Sequence, residues 1–336
     1  MILRCLLILC AAAAVAACSG NGCRVPAEQM PPLLSQTLCV NMADPAQPAA
    51  GTIPYDINEA FWSDGAEKWR YLSLPAGARI DIAGDGDFRL PAGSVLIKNF
   101  RLQGRFIETR LFMRKIDGGW QGYSYQWNDT QTDAQLLSHA DEISIGGQVW
   151  HYPGRDECMQ CHTEAAGFSL GLEVAQLNKD DSHARRGGWL SGTGNQIDRL
   201  RALGLLADVP EPSVRDLKLV SSRDFAQDLN RRARAYLHSN CSQCHRPGGG
   251  TDSNMDLRAA TPLADMHVCD TRPQLGELGI PDARLLAPGD YARSVIWSRM
   301  KHQDNNRMPL PRFSKVPDAE GVRLIEEWIG SLPGCG

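Results

Sequence analysis

The sequence has almost no charge excess of either sign: 35 Lys and Arg stand against 39 Asp and Glu, a formal net charge of −4. It therefore lacks both the basic footprint of a nucleic-acid binder and the cationic face that anionic lipid attracts, so no nucleic-acid partner is expected. An apolar run long enough to cross a bilayer is also missing. The stretch Cys5 to Val15 falls well short of the roughly 20 residues that a spanning helix needs. Asp85-Gly86-Asp87 lacks a further acidic residue in register, which excludes a calcium loop and leaves a turn. Between the motif ending at His162 and residue 255 there is no methionine, so a thioether is scarce in that part of the chain.

Two copies of one five-residue pattern are present: Cys158-Met159-Gln160-Cys161-His162 and Cys241-Ser242-Gln243-Cys244-His245. C-x-x-C-H is the attachment pattern of a c-type haem. The two thiols form thioethers to the haem vinyl groups, and the adjacent histidine reaches the iron as proximal ligand. The competing readings are a disulfide, a thioredoxin-like pair and a four-cysteine zinc site. Two covalently bound haem c groups are the expectation, with Cys158, Cys161 and His162 holding one and Cys241, Cys244 and His245 the other. Met308, in the proline-restricted run Arg307-Met308-Pro309-Leu310-Pro311, is the expected second axial ligand of the second haem, ahead of Met300, Met255 and Met266. The first haem has weaker candidates: His183, His151, the more distant His139, Met113 from the β region, or an open position.

Arg4, the apolar Cys5–Val15 segment and the small residues after it read as a secretory signal over residues 1–17. Val15-Ala16-Ala17-Cys18 resembles the lipobox of bacterial lipoproteins, which makes Cys18 a lipidated N-terminus and implies anchoring in the periplasm. Ser19 stands where an Asp would signal inner-membrane retention, which points to the outer membrane. Four cysteines remain, Cys23, Cys39, Cys269 and Cys335; an even remainder in an oxidising compartment suggests disulfides. The local pairing Cys23–Cys39 and Cys269–Cys335 is expected, from three possible pairings.

With 336 residues the chain has room for two or three domains. Residues 18–52 read as a lipidated tether. Residues 53–157 read as β: Val95-Leu96-Ile97, the alternation from Phe106 to Arg114, and the aromatic run Trp120 to Trp127 beyond the Asp117-Gly118-Gly119 turn. The rings of Trp120, Tyr123, Tyr125 and Trp127 are either core or an exposed platform, and core is the commoner outcome. Residues 158–215 carry the first motif and a helical period at Ile197, Leu200, Leu203 and Leu206. Residues 216–336 read as a class I cytochrome c-like domain. Its first helix would open at the Ser221-x-x-Asp224 box, present Phe225, Leu229, Ala233, Tyr236 and Leu237 on one face, and run into Cys241. Its last would start at Pro317 and bury Val322, Ile325, Ile329 and Leu332. The fold expected is α+β and multidomain, a β-sandwich-like domain followed by mainly α-helical cytochrome c-like haem domains.

On these residues the chain resembles a family of bacterial periplasmic di-haem cytochromes c. The resemblance runs through Phe61-Trp62-Ser63-Asp64-Gly65, Ile107-Glu108-Thr109-Arg110, Tyr123-Ser124-Tyr125-Gln126-Trp127-Asn128, the two haem motifs, Gln176-Leu177-Asn178, Asn195-Gln196-Ile197, Met308-Pro309 and Glu327-Trp328-Ile329. It implies haem binding and electron relay between a redox donor and acceptor, and names no substrate. A di-haem peroxidase with an open first haem, an electron-accepting subunit of a dehydrogenase, and a carbohydrate-binding β domain are the alternatives.

Overall fold

The computed structural model describes residues 22, 23, 25, 29–180, 194–208 and 212–335. The signal segment, Cys18 and His183 lie outside the described residues.

Among the described residues there are ten strands: β1 (Ile53–Tyr55), β2 (Glu67–Ser73), β3 (Asp81–Ile82), β4 (Phe88–Arg89), β5 (Val95–Leu102), β6 (Arg105–Arg114), β7 (Trp120–Trp127), β8 (Ala134–Leu136), β9 (Asp141–Ile145) and β10 (Gln148–Tyr152). Six of them form one antiparallel sheet in the order β1-β2-β5-β6-β7-β8, and β3-β4 and β9-β10 are separate hairpins. The tight connection from β5 to β6 is Gln103-Gly104, both at positive φ, a conformation that a glycine adopts without strain. Asp117-Gly118-Gly119 turns β6 into β7, with the Gly119 amide donating to Asp117 Oδ1 at 2.9 Å. Asp85-Gly86-Asp87 is the turn that closes the β3-β4 hairpin.

Strand alternation divides the sheet into two faces. One carries Trp69, Tyr71, Val95, Ile97, Leu111, Met113, Tyr125 and Trp127, packed against Met30, Leu34, Cys39 and Val40. Its few polar groups are satisfied: Trp127 Nε1 donates to Thr109 Oγ1 (3.0 Å), Thr109 to Asn99 Oδ1 (2.8 Å), and Asn99 Nδ2 to the Pro45 carbonyl (2.8 Å). One expectation changes here and another is met. Residues 29–52 are not a free tether: their apolar side chains cover the back of the sheet, and the Cys23–Cys39 disulfide closes this cover. Tyr125 and Trp127 are buried in this core, while Trp120 stacks on Phe112 at a centroid distance of 5.0 Å, so these rings pack inside the protein.

The α-helices are α1 (Arg155–Cys161), α2 (Val174–Leu177), α3 (Gln196–Ala202), α4 (Pro212–Arg215), α5 (Leu229–Asn240), α6 (Val295–Lys301) and α7 (Ala319–Ser331). The expected fold class is overturned by these elements. Among the described residues the strands form one six-stranded sheet and two separate hairpins rather than two facing sheets. The region after residue 158 is not mainly helical either: the described helices are short, and the longest has 13 residues. From Cys241 to Ser294, prolines at 247, 262, 273, 281 and 288 and repeated glycines prevent continuous helix, leaving loops and single 3-10 turns. The helix before the second motif also starts later than its pattern indicates. Ser221 to Gln227 form turns, Phe225 is 80% exposed, and Asp228 is the cap, accepting from the Arg231 amide at 3.0 Å.

The cores cross the boundaries read from the sequence. Leu172, Val174, Leu177, Ile197, Leu200 and Leu206 pack with Ile53, Tyr55, Leu72 and Leu96, so the segment after the first motif belongs to the sheet's second face. Ala233, Tyr236 and Leu237 of α5 pack with Leu324, Ile325, Trp328 and Ile329 of α7. Gly321 allows that approach: a β-carbon there would overlap the Tyr236 ring. The Cys269–Cys335 disulfide, Cα–Cα 5.6 Å, ties the end of the chain to the loop region. Asp64 joins the two halves, accepting from Ser314 Oγ (2.5 Å), the Lys315 amide (2.8 Å) and the Val316 amide (3.1 Å).

Candidate functional site: one cavity lined by both motifs

Helix α1 carries the first motif. Asp156 and Glu157 occupy its first turn, where carboxylates favour the helix N-terminus, and the Glu157 side chain reaches back to the Gly154 amide at 2.8 Å. The helix lies against β7 at Gly122, where a β-carbon would overlap Cys158 Sγ and sit 2.8 Å from Cys158 Cβ. His162 follows the last turn. Its Nδ1 lies 2.5 Å from the Phe168 carbonyl, so the proton sits on Nδ1 and Nε2 is left as the free electron pair. Phe112 packs on the ring at a centroid distance of 4.1 Å. Burial, followed by the nearby Lys98 and Arg110 cations, pushes the His162 imidazole down to about 3, so it is neutral at physiological pH.

The second motif leaves the C-terminal end of α5. The His245 amide donates to the Cys241 carbonyl (3.0 Å), and the His245 carbonyl accepts from the Leu257 amide (2.9 Å), which fixes the backbone on both sides of the imidazole. His245 Nδ1 is buried without a hydrogen-bond partner among the described residues. Burial, with Arg299 nearby, lowers its pKa as well. All four motif cysteines are free thiols, and those of Cys161 and Cys244 are hydrogen-bond partners.

The two motifs share a single cavity of about 1070 Å³, at the upper end of the ~300–1,000 Å³ usual for small-molecule sites. Cys158, Cys161, His162, Cys241, Cys244 and His245 all line it. So do Met308, Met300 and Met255. Met266 is fully buried in the core behind and is not a lining residue. Of the alternatives at the first motif, Met113 lies in the core on the opposite face of the sheet. His139 is bonded to Ser138 Oγ (2.8 Å) and does not line the cavity. His151 does line it, but its ring nitrogens face two carboxylates, Glu157 at 3.0 Å and Glu142 at 3.3 Å.

Sequence reasoning missed the opposite wall. Lys68, Arg70, Lys98 and Arg110 point into the cavity from β2, β5 and β6. His267 also lines it, from the loop region. Among the described residues, no group of three or more His, Cys, Asp and Glu side chains is arranged to hold a bare metal ion, and no helix is long and apolar enough to cross a membrane. The donor set suits a covalently attached planar group: paired thiols, each pair followed by a neutral, half-buried imidazole with an available nitrogen, around a shared cavity.

Comparison with protein-family models, with curated proteins and with solved structures gives no match to this chain.

Proposed function

We propose that the protein is a di-haem c-type cytochrome that relays single electrons between redox partners, held at a periplasmic membrane surface through Cys18. The observation that carries this reading is the convergence of both Cys-x-x-Cys-His motifs, separated along the chain, on one cavity. Cys158 and Cys161 would hold one haem with His162 on its iron; Cys241 and Cys244 would hold the other with His245. When bound, haem iron supplies reversible one-electron transfer. The chain's own residues do the rest. The Phe168 carbonyl fixes the His162 tautomer, and Phe112, itself stacked on Trp120, packs against the ring. Met308 brings a thioether to the same cavity, a soft donor that raises a haem potential relative to a second imidazole.

The two disulfides fit an oxidising compartment, where the four motif thiols need to be consumed by attachment to stay out of disulfides. A ligand-binding first haem, as in a di-haem peroxidase, is the second reading. It is favoured by the hydrogen bond that holds His151 Nε2 on Glu157 at 3.0 Å and by Met113 facing away. The deciding experiment is expression with a cytochrome c maturation system, followed by intact mass and by spectra of the oxidised, reduced and carbon-monoxide-treated protein. Two added haems with low-spin spectra support relay; a carbon-monoxide-binding haem supports the second reading; a colourless product of unmodified mass overturns both.

A further inference from the structure

Arg70, Lys98 and Arg110 stand in one row. Arg70 of β2 is the register partner of Lys98 of β5, and Lys98 is the register partner of Arg110 of β6. Residues directly opposite on neighbouring antiparallel strands share a face, so three basic side chains lie side by side on the cavity wall, with Lys68 two residues along β2 on the same face. Like charges directly opposite one another destabilise a sheet. Removing an ammonium from water without a partner costs several kcal/mol.

The protein neutralises this row only in part. Glu108 holds Arg110 through two bonds, Nε at 2.7 Å and Nη2 at 2.8 Å. Asp56 lies near Arg70, but its carboxylate also binds Lys179 Nζ at 3.0 Å. Lys68 donates to the Phe61 carbonyl, a neutral acceptor. Lys98, the middle member, has the Phe61 ring at 5.6 Å and makes no ion pair among the described residues. The row faces the cavity beside Cys158, Cys161 and His162.

We propose that Arg70, Lys98 and Arg110 form an anion site that takes a carboxylate or oxoanion beside the first Cys-x-x-Cys-His motif. The Arg70 guanidinium, the Lys98 ammonium and the Arg110 N–H groups that Glu108 leaves free match the oxygens of such a group with charge-assisted hydrogen bonds. The anion has two sources of the same chemistry: the carboxylates of a porphyrin attached at Cys158 and Cys161, or a free oxoanion admitted to the cavity. The first source rests on the functional reading above; the row itself does not.

The test compares the purified protein with its Lys98→Met and Lys98→Arg variants, using inorganic phosphate as probe, with Tm and redox titration as readouts. A free-anion site gives a saturable rise of Tm with phosphate, weakened roughly ten-fold in K98M and retained in K98R. A site filled by porphyrin carboxylates gives no phosphate response in the loaded protein. In that case K98M lowers the midpoint potential of one haem and leaves the other alone, and K98R restores it. The proposal is overturned if K98M raises Tm, leaves both potentials unchanged, and phosphate has no effect on loaded or unloaded protein. If the purified protein is colourless, the haem reading fails separately, and phosphate with the colourless chain still decides: a saturable rise of Tm lost in K98M supports the row, and its absence overturns it.

Discussion

The thiols of Cys161 and Cys244 meet as hydrogen-bond partners although they belong to different motifs. In the chain without attached groups, this contact makes them the pair most readily joined. Mild oxidation with a disulfide reagent should therefore reduce the free thiols from four to two and link the peptides carrying Cys161 and Cys244. Peptide mapping without reduction reads this directly. Predominant linkage within each motif, Cys158 to Cys161 and Cys241 to Cys244, would contradict the contact. In haem-loaded protein the same treatment should leave the map unchanged.

On the proposed haem reading, Met308 is the thioether ligand of one iron. Met308→Ala in the loaded protein should lower the midpoint potential of one haem and open its iron to carbon monoxide, with the second haem unaffected. A spectrum identical to the parent's would move the role to Met255 or Met300, which share the cavity.

Gly122 sets how close α1 lies to the sheet. Gly122→Ala places a methyl group against Cys158 Sγ, so strand and helix must separate. The expected cost is about 1–3 kcal/mol of stability, seen as a lower denaturant midpoint. On the proposed haem reading, intact mass should show loss of the first haem before the second. Full loading with unchanged stability would mean that the helix shifts freely.

Glu59 gives a pH dependence of defined sign. It is buried, and burial pushes its carboxyl up to about 7 from an ordinary 4.5, against the hydrogen bonds donated by Ser222 and the pull of Arg223. A pKa raised on folding means that the native state holds the proton more tightly. Its contribution is therefore complete below about pH 4.5 and is lost as pH climbs through 7. Relative to Glu59→Gln, the parent should lose stability across that window by at most roughly 1.4 kcal/mol per pH unit. Asp87, also raised to about 7 by burial and by Glu173 and Asp85, keeps part of the slope in both proteins. Parallel stability curves for parent and variant from pH 4.5 to 7 would refute the assignment.

The parts legible in the sequence are those written in neighbouring residues. Each Cys-x-x-Cys-His motif is local, as are the Asp117-Gly118-Gly119 turn, the alternation of β6 and the apolar face of α7. What escaped depends on partners far along the chain. Glu108 and Arg110 separate from Thr109, Leu111 and Met113 by simple alternation, but nothing in that pattern says that their side is a cavity wall rather than solvent. The alignment of Arg70, Lys98 and Arg110 exists only once strand register is set, and register is a property of the whole sheet. The helix before Cys241 was over-extended because Ser221-x-x-Asp224 has the composition of a cap, while Asp228 is the residue that caps. Residues 29–52 read as a tether because their apolar side chains are sparse, yet Met30, Leu34 and Val40 are enough to cover one sheet face.

Asp64 sits on the sheet side of the molecule and grips three consecutive residues next to α7, near the far end of the sequence. The two walls of the cavity are thus joined through a single carboxylate, and residues some 250 positions apart in the chain are held together by three hydrogen bonds to one side chain.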